Sequence, residues 1–377
     1  MIIAGFFGGV ALKKPSINIA RVAAEAGVGV GTVSRVLNDS DQVSDATRER
    51  VLRTAARLNY RPLRSASSLS RGRTGSVGLL VSDITRPSVV ERLVGVIDVL
   101  NAAGLDAVVM NAQNRTQLDH HLVSLTDERR VDGIIVISIG IAPERVARIR
   151  ELAIPLVLID GDLEGLPRVC IDDVAGGQMA AEHLVSLGHR RIGFLSENSD
   201  IAMGMPSSES RYQGYLRALD AADIEPDFDL VVRGPHSSDA AAALTTVLLG
   251  VAKDRPTAIC ASSDTIAVGV IKALHQLGRD VPGDCAVIGF DDIEIASILD
   301  LSTIRQPLLE SGARGASMMV SLLDGASVEP LREELALEVI PRASSIGTRV
   351  KLAGVPRGDL DGNRVGHILQ RGGGAVS

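Results

Sequence analysis

Four residues within seven positions, Thr32, Ser34, Arg35 and Asn38, are short or forked hydrogen-bond donors of the kind that reach phosphates and base edges. Their spacing places them on the polar side of a short helix whose other face carries Val33, Val36 and Leu37. Upstream, Val22, Ala23 and Ala26 share one face of a first short helix. Gly27 then permits a sharp turn, and Val28 fills the corner. Two short helices joined in this way make a helix-turn-helix, whose second helix can lie in the DNA major groove. Val30 and Gly31 open that second helix and offer no side-chain hydrogen bonds, so base reading falls to Arg35 with help from Ser34 and Thr32. The bland alternative is a helical hairpin inside some core.

A second group of polar residues lies at or just beyond the ends of apolar runs: Asp83, Asp160, Arg211, Ser263, Asp264 and Asp291. The runs are 77–81, 107–111, 133–137, 155–160, 168–172, 191–195, 230–232, 257–261 and 286–290, with amphipathic helices between most of them, for instance 89–102 and 174–187. Continuous apolar strands alternating with helices predict parallel sheets covered on both faces. Their number suggests two doubly wound lobes, and the crevice outside the carboxyl ends of such strands is the expected ligand site. For each aspartate the competing role is a helix N-cap or an interlobe salt bridge. Asp264, which precedes a helix, is the plainest cap candidate.

The elements that position these groups follow from pattern and charge. Ser44 is placed to cap a third helix whose apolar face is Val51, Leu52, Ala55 and Leu58, closing a three-helix unit that ends before Pro62. Residues 63–75 are Ser-rich and basic, with the composition of a linker. Residues 1–75 hold 12 Lys and Arg against 5 Asp and Glu, so this part carries +7 while the whole chain carries −7. A basic head on an acidic body is the footprint of a nucleic-acid module attached to a second domain. The three cysteines, Cys170, Cys260 and Cys285, sit in apolar runs and read as buried thiols of a reducing cytoplasm. No metal-ligand spacing, P-loop, nucleophile elbow or dinucleotide fingerprint is present, and no cofactor is expected. No apolar run has membrane-spanning length, and the opening MIIAGFFGGVAL lacks the basic start and cleavage pattern of a signal peptide.

The stretch AGVGVGTVSRVLN closely resembles the start of the LacI/GalR family of bacterial transcription regulators, whose usual pattern is A-G-V-S-x-x-T-V-S-R-V-L-N. Gly29 stands where the family usually has the serine N-cap, and Arg21 stands where it usually has Asp. The resemblance reaches to about residue 345. It implies an α/β chain with a helix-turn-helix headpiece (16–61), a hinge helix or linker (62–75) and a two-lobed periplasmic-binding-protein-like effector and dimerisation domain of doubly wound parallel sheets (76–346). The lobes would be crossed near 173, 304 and 334, and the segments 1–15 and 347–377 would be disordered. In the hinge the chain keeps Tyr60, Pro62, Ala66 and Leu69, and the family pattern makes Leu69 the residue wedged into the minor groove. Arg211 opens R-Y-Q-G-Y, which matches the family motif whose Arg contacts the effector. Asp160 and Asp291 stand where relatives bond ligand hydroxyls, Ser263 stands where Asn is usual, and Arg86-Pro87-Ser88-Val89 replaces the family's N-P-F-F aromatics. The GHRRI around His189 matches a structural motif at a helix end.

The expected function is a cytoplasmic, homodimeric regulator, acting as a repressor. It would bind a near-palindromic operator in double-stranded DNA and answer to a small polar effector, a sugar or sugar derivative. A purine fits less well, because the chain has no Trp and lacks the stacking pair at Ser88-Val89. A transporter's solute-binding protein with the same core is the alternative, disfavoured by the basic head; a sugar-processing enzyme is a more distant one.

Overall fold

The computed structural model describes residues 18–37, 40–60, 73–127, 130–198, 207–251 and 255–347 of the chain. Three helices come first: α1 (Ile19–Ala26), α2 (Val30–Leu37) and α3 (Asp45–Arg57). The Asn18 side chain accepts the Arg21 N–H at 3.1 Å and caps α1. Gly27 ends α1 at φ 64°, a left-handed conformation that costs glycine little. The turn lets α2 begin at Val30, and Val22, Ala26, Val33, Val36, Val51 and Ala55 close a small core between the three helices. Outside it, Glu25 on α1 takes Arg57 of α3 and Arg21 of its own helix as partners.

Two details of α3 differ from the expectation. Leu52 is 48% exposed, and the buried Thr54 takes an inward position, its hydroxyl donating to the Arg50 carbonyl. Ser44 precedes the helix in an extended conformation, but its hydroxyl donates to Thr47 Oγ1 and makes no side-chain cap.

From Ser76 the chain builds two sheets of six strands each. The first contains β1 (Ser76–Val81), β2 (Asp106–Asn111), β3 (Gly133–Ile137), β4 (Leu156–Ile159) and β5 (Arg168–Cys170), with β11 (Arg332–Glu334) beside β5, in the order β11-β5-β4-β3-β1-β2. The second contains β6 (Ile192–Glu197), β7 (Val231–Gly234), β8 (Ala258–Ala261), β9 (Ala286–Asp291) and β10 (Ser302–Arg305), with β12 (Glu338–Ile340) beside β10, in the order β12-β10-β9-β8-β6-β7. Every pairing is parallel except β10 with β12. The short strands β10, β11 and β12 did not stand out as apolar runs, because Ser302, Thr303, Arg305, Glu333 and Glu338 break the pattern.

Each sheet is buried on both faces, which is why its central strands are apolar at consecutive positions. On the first sheet Leu79 and Ile135 face one core with Val96 and Leu100 of α4 (Pro87–Ala102) and Met319 of α12 (Leu308–Leu323). Their neighbours Leu80 and Ile134 face the other core, with Leu118 and Leu122 of α5 (Arg115–Asp127) and Ile149 of α6 (Pro143–Glu151). The second sheet repeats the plan, with α7 (Asp173–Ser186) and α8 (Ser207–Ala221) on one face and α9 (Ser238–Val251), α10 (Asp264–Gln276) and the short α11 (Glu294–Ile298) on the other. The chain passes from one sheet to the other three times: after β5, after β10 and between β11 and β12.

Candidate ligand cleft and nucleic-acid interface

In both sheets the strand order reverses beside the first strand of the lobe, β1 in one and β6 in the other. Loops leaving the carboxyl ends of strands diverge at such a point and leave a crevice. The two crevices face each other and enclose a cavity of about 310 Å³. Asp83, Ser88, Asp160, Arg211, Ser263 and Asp291, chosen from sequence, all line it. Five of them come from loops at strand ends or from the helix start that follows. Arg211 does not: it lies in the second turn of α8 and reaches the cavity from there, because α8 packs across the sheet with Arg211 on its buried side.

The cavity holds a chain of polar contacts running from lobe to lobe through a crossover. Ser138 Oγ donates to Asp160 Oδ2 at 2.6 Å, and Asp160 Oδ1 lies 3.2 Å from the Arg92 guanidinium. Arg92 donates at 2.7 Å to Gln306, which sits on the crossover and in turn donates at 2.5 Å to Asp291. Asp291 is 3.8 Å from Arg211, which donates hydrogen bonds to Asp173 at 2.8 Å and the Ser262 carbonyl at 2.6 Å. Asp160 and Asp291 end corresponding strands of the two lobes, and both have positive φ, 56° and 116°. Aspartate in such a conformation is held by its surroundings, and here the surroundings are the network itself. Burial pushes the Asp291 carboxyl up to about 6 against the pull of Arg211 and Arg92.

The mouth of the cavity carries a second link between lobes. Arg86, in the loop after β1, places Nη1 and Nη2 at 3.2 and 2.6 Å from the two oxygens of Glu197 at the end of β6. Ser208 donates to the same carboxylate. Burial would raise Glu197, but Arg86, His236 and Ser208 outweigh it and hold the group below its usual range. His236 bonds Ser263 Oγ at 3.1 Å, and its own pKa is lowered by burial and by Arg86.

Two of the sequence-chosen residues have structural duties. Ser263 caps α10 by accepting the Ile266 N–H, while also lining the cavity. Asp264 is fully buried, accepts from Thr303 Oγ1 and the Ile293 N–H, and is neither a cap nor part of the cavity wall. Arg86, Arg92, Ser138, Glu197, His236 and Gln306 were not anticipated. Arg92 alone left a local signal, because it falls on the α4 face otherwise formed by Val89, Leu93, Val96 and Leu100. His189, expected to cap and pack at a helix end, bonds Thr257 Oγ1 at 3.0 Å.

On α2, Val30 is 46% exposed, Gly31 and Arg35 are exposed, and Thr32 and Ser34 are half-buried. Gly29 accepts the Thr32 and Val33 N–H groups through its carbonyl, so the helix starts where the expected serine cap is missing. The Arg35 guanidinium meets no acid among the described residues. Asn38 and the hinge residues Ala66 and Leu69 lie outside the described residues. Among the described residues there is no cluster of potential metal ligands, and no helix is long and apolar enough to cross a membrane.

This combination, a three-helix head before two facing doubly wound lobes with a polar cleft between them, defines a class. Residues 18–63 match the family described as bacterial regulatory proteins, lacI family, and residues 181–345 match the periplasmic binding protein-like domain. The HTH-type transcriptional regulator CelR of Thermobifida fusca is 34% identical over 345 residues, covering 88% of this chain and 98% of that one. A solved transcriptional regulator CelR–cellobiose complex is similar at 33% identity and a TM-score of 0.64, covering 87% of this chain and 99% of that one. The lac repressor dimer bound to operator and the anti-inducer ONPF is similar at 25% identity and a TM-score of 0.75, with coverage of 87% and 99%. The chain belongs to the LacI family of bacterial transcription regulators, and is a DNA-binding regulator.

Proposed function

We propose that the protein is a homodimeric repressor, working in the cytoplasm, whose operator affinity is set by a sugar or sugar derivative held in the interlobe cleft. The observation that carries this reading is the cleft itself. It is walled by polar side chains of both lobes and joined to the crossovers, so a ligand there bears on the angle between the lobes. Asp83, Ser88, Asp160, Arg211, Ser263 and Asp291 are the proposed effector contacts. Hydroxyls suit these donors and acceptors, and among the described residues no Phe, Tyr or Trp lines the cavity for a flat base to stack on. The similarity to the CelR–cellobiose complex supports the same class of ligand. Relatives are regulators, and Ser263, the hydroxyl that meets His236, is committed to capping α10, so the cleft is read as a binding site without catalysis.

For DNA, α2 is the proposed recognition helix: Arg35 reads a base edge, Thr32, Ser34 and Asn38 support it, and exposed Val30 beside Gly31 offers an apolar contact to a thymine methyl. Ala66 and Leu69 are proposed to act in the minor groove as a hinge pair. A dimer implies two inverted half-sites. Its contact face is proposed to include α4, where Val90 and Val94 are exposed one turn apart, 42% and 44%. The direct test is selection of DNA from a random pool by the purified chain, repeated with each of a panel of sugars. A near-palindromic motif whose recovery depends on one sugar supports the reading. Recovery of no motif under any condition contradicts it.

A further inference from the structure

We propose that the cleft sorts ligands by charge, accepting an uncharged polyol and excluding its phosphorylated or acidic counterpart, with Glu197 as the residue that enforces the choice. This rests on the sugar reading above. Three guanidiniums reach the cavity, and each is already committed to acid. Arg86 is forked onto Glu197 across the cleft, Arg92 is held by Asp160 and Gln306, and Arg211 is held by Asp173 with Asp291 behind it. Asp83 adds a further carboxylate to the wall with no cation within ion-pair distance among the described residues. Four carboxylates of the wall, Asp83, Asp160, Glu197 and Asp291, therefore face three guanidiniums, and burial and Arg86 lower the pKa of the remaining base, His236.

A phosphate entering this site must take a guanidinium from its carboxylate. The abandoned carboxylate would then stay beside the new anion in a partly desolvated place, which is an arrangement that discriminates by repulsion. A hydroxyl demands no such exchange. It can donate to the Asp83 oxygen that Thr85 leaves unused. Arg86 is the guanidinium most open to capture, its side chain being 31% exposed at the junction of the lobes. Removing the Glu197 charge frees a planar fork of the kind that binds phosphate in two places at once.

The test is calorimetric titration of the full chain with matched pairs, glucose and glucose 6-phosphate, ribose and ribose 5-phosphate, together with cellobiose, inorganic phosphate and the nucleobase adenine. For wild type, any free sugar that binds should do so at least roughly tenfold more tightly than its phosphate ester, and inorganic phosphate should give no binding heat. Glu197→Gln should gain phosphate binding, and Arg86→Ala in that background should abolish the gain. A phosphate ester that binds wild type as tightly as the free sugar overturns the charge sorting and leaves the sugar reading intact. Sorting that persists in Glu197→Gln removes Glu197 from the role. Binding of a nucleobase with no response to any sugar or ester defeats the underlying sugar reading instead. Should Glu197→Gln fail to fold, the wild-type pairs still decide the charge sorting.

Discussion

Arg211 lies with its guanidinium carbon 3.6 Å from the centre of the Phe290 ring while bonding Asp173 and the Ser262 carbonyl. It is 7% exposed, so it is a structural ion as well as a proposed effector contact. Arg211→Ala should therefore lower stability by about 3–5 kcal/mol, the usual consequence of stranding a buried partner, besides weakening the response to effector. Chemical denaturation of the two proteins checks this, and a loss well under 1 kcal/mol would mean that Asp173 and Asp291 find other partners. Asp291 makes a pH prediction. Its folded pKa, about 6, lies above that of an unfolded aspartate, so the folded state holds the extra proton between about pH 4 and 6. The stability this group contributes is present at the acidic end of that window and is lost as pH rises through 6. Asp291→Asn does not titrate, so its melting temperature relative to wild type should climb as pH goes from 4 to 7. A difference that stays flat across the window contradicts the assignment. The aspartates were legible in sequence because they end apolar runs. Arg86, Glu197 and Gln306 were not, because they are joined to the opposite lobe or across a crossover. His236 was not either, because its partner Ser263, though on the same lobe, belongs to the next strand's end. Neither kind of link leaves a periodic trace. Asp264 was misjudged for the same reason: its partners, Ile293 and Thr303, are remote in sequence.

The helices that carry the cleft arginines are set by glycine contacts of matching design in the two lobes. A Cβ on Gly312 of α12 would lie 2.0 Å from the Arg92 carbonyl oxygen on α4, and a Cβ on Gly177 of α7 would lie 2.0 Å from the Arg211 carbonyl oxygen on α8. Each helix pair can cross this closely only without a side chain there. Gly177→Ala should force α7 from α8, cost roughly 1–3 kcal/mol by overpacking, and separate Arg211 from Asp173. Effector affinity should fall with stability; an unchanged affinity in a folded Gly177→Ala protein would show that the crossing does not position Arg211. At the other end of the chain, α2 was legible because its apolar face repeats at helical spacing and Gly27 marks the turn. Arg35→Ala should cost roughly 1–3 kcal/mol of operator binding and relax preference at one base pair. Uniform weakening on all DNA sequences would reduce Arg35 to a phosphate contact. The sheets were legible in their central strands, which are buried on both faces, and illegible at β10, β11 and β12, short strands interrupted by polar residues.

At the scale of the whole molecule, the proposed DNA and effector sites are joined through the angle between two lobes. The sequence displayed the proposed recognition helix and the strand-end acids, but not the polar links that join the two lobes across the cleft. A ligand changes operator affinity only by contacting the open and closed arrangements differently, and the same factor must then appear in both directions. The most direct measurement is operator affinity, by fluorescence anisotropy on the selected DNA, with and without each sugar of a panel, paired with sugar affinity measured with and without operator. The account predicts one sugar that shifts operator affinity by about 5- to 150-fold, with an equal shift of its own affinity when operator is bound. A sugar that occupies the cleft, shown by its loss of binding in Arg211→Ala, yet leaves operator affinity unchanged would contradict it.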